Sequence, residues 1–395
     1  MRILLCFAFA HVGGWGIILM TVVLQAVPST QMIEGLDEQA PGSWGEYTLD
    51  SVFVRNEIRS VSDVIRRIDN KRYILDPDFQ RDFVWPEDKQ SKLIESCVMR
   101  IPLPVFYLAE AKDGRIIVVD GLQRLTTFHR YVKGHFRLKG LTEIESDDES
   151  HPLDGKKFSA LSIDLQERIL DTQLITYILD AKAPERARLD IFERVNSGVP
   201  LTRQQMRNAL YAGPATLFLK HASDSALFKL ATGDSLDRKA MRDREAINRF
   251  CSFYMLGWTS YKGDMEVFLG SGLEKMNELS PAELSELRTN FAESMRTNRE
   301  LFGDHAFRKS LGSIDPDGRR NVLNIALFDV CSVMLAKYHK RLTQNPSAGK
   351  SVKLAFRMLL SDDRFTKAIT YSTNSTQAVT TRFELTEQVL NECFS

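Results

Sequence analysis

The chain has no excess of charge of either sign. Its 395 residues contain 52 Lys and Arg against 52 Asp and Glu, so the formal net charge is zero. Composition therefore excludes a general attraction to nucleic acid, and any such site has to be a local patch. Two basic clusters are candidates, although interleaved carboxylates favour a solvated helix face for the first: Arg238, Lys239, Arg242 and Arg244, and Arg319 with Arg320.

Cysteine is scarce and scattered along the chain. The five residues are odd in number, far apart and mostly set in apolar helical contexts: Cys6, Cys97, Cys251, Cys331 and Cys393. This pattern excludes a disulfide scaffold and is typical of reduced, buried thiols, so it favours a reducing compartment.

Histidine and cysteine do not occur in metal-ligand spacings. His305 and His339 are isolated, and the segment from Leu323 to Ser395 has neither a His pair near Asn nor a zinc-like Cys cluster. The sequence therefore predicts no metal site built from His or Cys in this segment.

One long apolar run is present, from Ile3 to Val27, with Arg2 before it. It is long enough to cross a bilayer and also resembles the apolar core of a signal peptide. A third interpretation is that translation starts at Met32. We adopt the third interpretation and expect a cytoplasmic protein, because the rest of the chain favours the cytoplasm; an anchor through residues 3–27 is the alternative.

Periodicity predicts an α+β chain without internal repeats. Strands are expected at Pro104 to Ala109, Arg115 to Val119 and Thr172 to Leu179, interleaved with helices, whereas only helices are expected beyond Pro200. The predicted helical features beyond Pro200 are caps at Thr202 and Ser280 and a long helix from Val322 to Tyr338. We therefore predict an N-terminal extension and linker (1–45), a mixed domain (46–200) and an all-helical domain (201–395).

The pentapeptide Asp120-Gly121-Leu122-Gln123-Arg124 follows the apolar run Ile116 to Val119 and precedes a helix-like segment, Leu125 to Val132. A strand that turns at glycine into a helix leaves unpaired N–H groups where the helix dipole favours an anion. Arg124 is electrostatically misplaced there unless an anion binds.

These features predict a phosphate-bearing ligand. Arg124 would make a forked contact with phosphate oxygens, Gly121 would allow close backbone approach, and Asp120 would hold a metal ion or orient Gln123. A structural interpretation stays open, in which Asp120 caps the helix, Gly121 makes a tight turn and Arg124 reaches solvent.

A polar-aromatic loop upstream, Asp76 to Pro86, carries Gln80, Arg81 and Trp85. An amide and a guanidinium suit the polar atoms of a nucleotide, and an indole suits the face of its base. Alternatively, Trp85 anchors the core while Gln80 and Arg81 are solvated. Asn196, at the end of a predicted helix, could reach the ligand or simply terminate that helix.

Several ordered motifs together resemble the N-terminal domain of GmrSD-type, modification-dependent restriction endonucleases. The likeness spans roughly Ser51 to Glu387, and the motifs that carry it are DPDFQRDFVW, KLIESCVMRIPLPVFYL, VVDGLQRLTTFHRYVKG, IFERVNSGVPLTRQQMRNALYAG and DREAINRFCSF. The resemblance implies a ParB- and sulfiredoxin-like fold in the mixed domain.

The same resemblance implies a nucleotide-using module of prokaryotic genome defence. The family motif DGQQR, tied to nucleotide binding and hydrolysis, matches Asp120, Gly121, Gln123 and Arg124, and its FQR element matches Gln80 and Arg81. Leu122 stands where the family has its first glutamine, so binding is better supported than hydrolysis.

We therefore expect a module that binds a nucleoside triphosphate with Mg²⁺, and its action as a Mg-dependent NTPase stays open. In the family, members that cut DNA usually add a C-terminal His-Asn-His-type nuclease domain, so the resemblance implies no nuclease activity for this chain alone. Its expected partners are DNA, a separate nuclease or defence protein, and a second copy of the chain in a homo-oligomer. The alternative is a non-catalytic DNA- or protein-binding module of the same family.

Overall fold

The computed structural model describes residues 33–35, 54–75, 85–111, 113–141, 151–195, 202–312 and 319–394. Its sheet consists of β1 (Val54–Ser60), β2 (Tyr73–Ile74), β3 (Phe106–Glu110), β4 (Ile116–Asp120) and β5 (Gln173–Leu179). The helices that alternate with these strands or directly follow them are α1 (Val61–Asp69), α2 (Glu87–Val98), α3 (Leu122–Val132), α4 (Ile163–Leu170) and α5 (Glu185–Val195).

Helices make up the rest of the described chain. They are α6 (Arg203–Leu210), α7 (Pro214–Asp224), α8 (Ala226–Thr232), α9 (Arg242–Leu256), α10 (Met265–Glu278), α11 (Pro281–Phe302), α12 (Ile325–Gln344), α13 (Ala348–Ser361), α14 (Asp363–Ala368) and α15 (Thr376–Cys393). No sheet strand occurs among the described residues after 202, and the extended contacts there are isolated bridges at Leu323 and Asn324. The predicted α+β class with a helical second half is confirmed for the described residues.

The sheet is mixed, in the order β1, β5, β3, β4, β2. β1 and β5 are antiparallel, β5 and β3 parallel, β3 and β4 antiparallel, and β4 and β2 parallel. The three predicted strands correspond to β3, β4 and β5. The sequence analysis missed β1, β2 and α4, whereas the ParB- and sulfiredoxin-like fold stays a prediction.

Both faces of the sheet are covered by helices. On one face, Leu108 and Val118 pack in a core with Ile94 of α2 and Phe128 of α3. On the other face, a second core combines side chains of β3, β4 and β5 with those of α5, α6 and Met241: Ala109, Ile117, Val119, Leu179, Leu189, Phe192 and Met206. Since strand side chains alternate between faces, the near-continuous apolar runs of β3 and β4 follow from this two-sided burial.

A third core lies within the helical half. Its centre is α12, which is almost entirely buried from Ile325 to Ala336 and packs against α9, α11 and α15. The predicted long helix exists, but it begins at Ile325, because Asn324 caps it by accepting from Leu327 N at 2.8 Å. The predicted domain boundary near residue 200 stays a prediction.

Local capping signals in the sequence are confirmed. Thr202 and Gln205 form a reciprocal capping box at the start of α6, and Ser280 and Glu283 form another at the start of α11. Both arrangements pair donors at a helix start that have no partner within the helix.

The cysteines that the structure describes are unpaired. Cys97, Cys251 and Cys331 are buried and Cys393 is partly buried, as the sequence indicates. No helix within the described ranges is long and apolar enough to cross a membrane. The apolar run at residues 3–27 lies outside those ranges.

Candidate functional site

The turn from β4 into α3 is the strand, glycine and helix unit expected from the sequence. Gly121 is the residue before the helix and has φ +103° and ψ 7°, a conformation that favours glycine. A Cβ added to Gly121 would lie 2.4 Å from Cδ1 of Phe106, so the site also has no room for a side chain. Backbone conformation and close packing together explain the glycine.

The start of α3 has no side-chain cap. Leu125 N bonds to Gly121 O at 2.9 Å, which is the first helical hydrogen bond. The N–H groups of Leu122, Gln123 and Arg124 have no acceptor within the described part of the chain. The predicted row of free donors at a helix start is therefore present, and the alternative that Asp120 caps the helix is wrong.

Arg124 is satisfied by groups of the protein itself. Arg124 as a whole is 9% exposed to solvent. Nη1 donates to Pro104 O, whereas Nη2 donates to Val105 O at 3.1 Å and to Asp120 Oδ2 at 2.8 Å. Its Cζ lies 4.2 Å from the centre of the Phe106 ring, which adds a cation–π contact.

Arg124 therefore needs no external anion, contrary to the prediction from the sequence. Arg124 lies on the buried face of α3, in line with Phe128 and Tyr131, so its side chain turns toward β3 rather than toward the free N–H groups or solvent. Burial lowers the pKa of Arg124, and Asp120 opposes that shift. The arginine positions Asp120 and links the turn to the segment before β3.

Asp120 keeps one carboxylate oxygen for other partners. Oδ2 accepts from Arg124, no donor to Oδ1 occurs in the described ranges, and the side chain is 31% exposed. Asp120 orients Arg124 and not Gln123, which corrects the expected pairing. An exposed carboxylate oxygen fits Mg²⁺, which prefers such ligands and keeps several waters.

Gln123 and Trp85 are brought together, although they are far apart in sequence. Gln123 Oε1 accepts from Trp85 N at 3.4 Å, a long hydrogen bond, and Gln90 Nε2 donates to Trp85 O at 2.8 Å. The Trp85 ring packs against the core, with Lys89 Nζ 4.5 Å from its centre. The anchoring interpretation of Trp85 is thus supported.

Three of the predicted ligand-binding residues lie outside the described ranges. These are Gln80, Arg81 and Asn196. Trp85 is the first described residue after Gln80 and Arg81, and its two glutamine contacts hold the backbone just before α2.

Sequence reasoning missed two residues of this site. Phe106 lies beneath both Gly121 and Arg124, and Gln90 holds the Trp85 backbone. The spacing of Arg124, Phe128 and Tyr131 on one helix face was the available signal that Arg124 points inward.

A cleft of about 540 Å³ lies between the end of α2, the following loop and α4. Its walls include Arg100, Leu103, Glu167 and Gln173, and none of the predicted site residues. Within the described residues, no group of three or more His, Cys, Asp or Glu side chains is placed to hold a metal ion.

Comparison with known families gives one match. Residues 61–212 match the model described as the GmrSD restriction endonuclease, N-terminal domain. The matched region covers β2 to β5, α1 to α6 and the whole Asp120 to Arg124 turn, and the resemblance expected from the sequence is confirmed there. No curated protein and no solved structure matches the chain.

Proposed function

We propose that the chain is a nucleotide-binding component of a restriction-type defence system, with phosphates held at the start of α3. The match to a GmrSD N-terminal domain indicates a restriction-type defence component. The observation that carries nucleotide binding is the uncapped start of α3 after Gly121, where free N–H groups and the helix dipole both favour an anion.

In this proposal, each residue of the turn has a separate role in binding the nucleotide. The N–H groups of Leu122 and Gln123 bind phosphate oxygens, and Gly121 makes the turn of positive φ that precedes them. Asp120 offers Oδ1 to Mg²⁺, which neutralises phosphate charge beside a carboxylate. Arg124 holds Asp120 in place and compensates its charge. Gln80, Arg81, Trp85 and Asn196 are proposed to complete the nucleotide site.

Nucleotide binding is proposed as the primary activity, and nucleotide hydrolysis as the secondary one. Leu122 offers no polar side chain at the first position of α3, so one group that could orient a water molecule is missing. A module that binds nucleotide as a switch and works with a separate nuclease is consistent with Leu122 at this position. Phosphate release measured beside binding separates the two activities.

The test uses Gln123→Glu, an isosteric change. Glutamate keeps the acceptor for Trp85 N and is favourable to the helix dipole, but it places a negative charge where phosphate would bind. The matched control is Gln377→Glu, because Gln377 is the exposed second residue of α15, as Gln123 is the second residue of α3.

Melting temperature is measured with and without ATP or GTP and Mg²⁺. A ligand that binds only the folded state at a hundred times its Kd adds about 2.7 kcal/mol of stability. We expect this stabilisation in the natural chain and in Gln377→Glu, and its loss in Gln123→Glu. An equal response in all three proteins, or no response in the natural chain, refutes the phosphate site.

The second candidate is a non-catalytic DNA- or protein-binding module. The observation that favours it is the internal pairing of both terminal nitrogens of Arg124, since the turn then has a structural role without any ligand. Absence of any nucleotide response, together with intact DNA binding in Gln123→Glu, selects this function.

A further inference from the structure

The C-terminal ends of α1 and α3 adjoin and carry a concentration of positive charge. Residues 63–72 and 129–137 contain seven Lys and Arg and two Asp, an excess of five on a chain with no formal net charge. We call this surface the α1–α3 basic face, and its cations are Arg66, Arg67, Lys71, Arg72, Arg130, Lys133 and Arg137. It lies at the opposite end of α3 from Asp120.

The two carboxylates of this face are each shared among several cations. Asp63 accepts from Arg59 at 2.8 Å, from Arg66 at 2.5 Å and from Arg67 at 2.9 Å. Burial raises the pKa of Asp63, but the hydrogen bonds from the arginines outweigh it and hold that pKa well below its usual range. Arg59 also pairs with Glu57. Within the described residues, however, Arg66 and Arg67 share Asp63 alone, so positive charge remains at the end of α1.

Asp69 joins the two helices in the same way. Its oxygens accept from Lys133 Nζ at 2.9 Å and lie 3.0 Å from His129 Nε2. Hydrogen bonds from these two side chains lower the pKa of Asp69. The ion pair therefore makes one continuous surface from the ends of α1 and α3.

Other cations of the face have no carboxylate partner within the described ranges. Arg72 donates to Gly114 O at 3.3 Å, Arg137 donates to Gly155 O at 3.2 Å, and Lys71 makes no side-chain contact there. Arg66 and Arg67 lie in the last turn of α1, where positive charge interacts favourably with the helix dipole, and this interaction accounts for their positions. It does not explain these three, which lie beyond the helix ends.

The chemistry of the face distinguishes between partners. None of its residues is an exposed large apolar side chain, whereas protein interfaces are built around an apolar core. Tyr131 and Phe136 are buried, so neither ring is available for stacking of unpaired bases. Exposed guanidinium and ammonium groups alone suit a regular array of phosphates.

We propose that the α1–α3 basic face binds the phosphate backbone of a nucleic-acid duplex without reading its sequence. This inference deepens the second proposed function by naming its partner and surface. It does not depend on the nucleotide site. Contacts to phosphates position a protein on a duplex and carry no base specificity, so recognition of particular bases has to come from elsewhere.

The test compares two charge-matched variants. The first combines Arg66→Gln, Lys71→Gln, Arg72→Gln and Arg137→Gln, which leaves Asp63 paired with Arg59 and Arg67. The control combines four exposed lysines elsewhere that make no ion pair in the described structure, changed to glutamine: Lys182, Lys262, Lys353 and Lys367. Both remove four positive charges, and thermal melting checks that both fold.

Binding is measured by fluorescence anisotropy with a labelled DNA duplex of two helical turns over a range of salt. We expect the first variant to bind at least tenfold more weakly, with the slope of log K against log salt reduced by about 0.9 for each lost phosphate contact. The control is expected to bind like the natural chain.

Three results overturn the proposal. They are an equal loss in the control, unchanged affinity in the first variant, and no duplex binding by the natural chain at low salt. Equal affinity for a single strand of the same length overturns the assignment to a duplex. The nucleotide-dependent rise in melting temperature is measured on the same first variant, so failure of this surface and failure of the nucleotide site are distinguishable.

Discussion

Arg124 and Asp120 form an ion pair across the first turn of α3, with 2.8 Å between Nη2 and Oδ2. The same guanidinium also donates to the carbonyls of Pro104 and Val105, so three segments of chain meet at one side chain. The arginine that the sequence presents as a ligand-binding group is thus also a structural element of the turn.

A double-mutant cycle measures this relationship. Hydrogen bonds to charged groups contribute about 1.5–3 kcal/mol, so we expect Arg124→Gln and Asp120→Asn each to lower the free energy of unfolding by about 2 kcal/mol. The double variant should lose less unfolding free energy than the sum of the two single losses, because each single change leaves the other group unpaired. Urea denaturation gives the four values.

The exposed pair Arg238 and Asp224 is the control cycle, since both side chains are about half exposed. Its coupling energy should stay below about 1 kcal/mol. Strict additivity at Arg124 and Asp120 would contradict the pairing.

Gly121 should tolerate alanine much less well than Gly134. Both have positive φ, +103° and +75°, so both substitutions carry a conformational cost of about 1–2 kcal/mol. At Gly134 nothing lies within 4 Å of the added Cβ, whereas at Gly121 the Phe106 ring lies 2.4 Å away. Overpacking should add about 1–3 kcal/mol at Gly121 only.

Thermal or urea unfolding of Gly121→Ala and Gly134→Ala provides the measurement. The difference between the two variants isolates the contact with Phe106, because the backbone cost is common to both. Equal destabilisation would mean that the ring moves aside without cost.

Asp329 should be the most sensitive carboxylate in the helical half. It is fully buried and pairs with two buried arginines, Arg249 at 2.5 Å and Arg382 at 2.8 Å. Burial lowers the pKa of Arg382 to about 10, and Asp329 opposes that shift. Asp329→Asn leaves buried positive charge uncompensated and should cost about 3–5 kcal/mol.

Urea denaturation of Asp329→Asn is compared with that of Asp304→Asn. Asp304 pairs with Arg299 on the surface, where loss of an ion pair costs about 1 kcal/mol or less. A loss at Asp329 no larger than that at Asp304 would show that water reaches the buried cluster.

Asp243 should make stability fall as pH rises. Burial raises the pKa of Asp243 to about 6, and the negative charge of Asp224 also raises it. The hydrogen bond from Arg244 N–H and the positive charge of Arg238 lower this pKa, but by less. Because the folded pKa lies above the unfolded value of 3.8, the folded state holds the proton more tightly. The stabilising effect of this proton is complete below about pH 4 and is lost as pH passes 6.

Asp243→Asn removes this titration. As pH rises from 4 to 7, the free energy of unfolding of the variant should increase relative to that of the natural chain by up to about 3 kcal/mol, since each pKa unit corresponds to about 1.4 kcal/mol. Unfolding free energies at a series of pH values provide the comparison, with the exposed carboxylate variant Asp154→Asn as control. Parallel curves for the natural chain and Asp243→Asn would exclude the buried titration.

Local features of the fold could be predicted from the sequence. The caps at Thr202 and Ser280, the strand, glycine and helix unit at Gly121, and the burial of Cys251 all depend on residues close in sequence or on strong apolar patterning. β1 could not be predicted in this way, because its residues alternate weakly and its stability comes from pairing with β5, where Thr176 Oγ1 donates to Glu57 O across 119 positions.

The candidate site shows the same division. The sequence by itself determined the turn, its free N–H groups and the identity of Asp120, Gly121, Gln123 and Arg124, because backbone conformation at a helix start is a local property. Only the tertiary structure decided that Arg124 points inward to Pro104, Val105 and Asp120, and that the cations of α1 and α3 form one face. The physical reason is that a charged side chain takes whichever partner the packing of distant segments brings within reach.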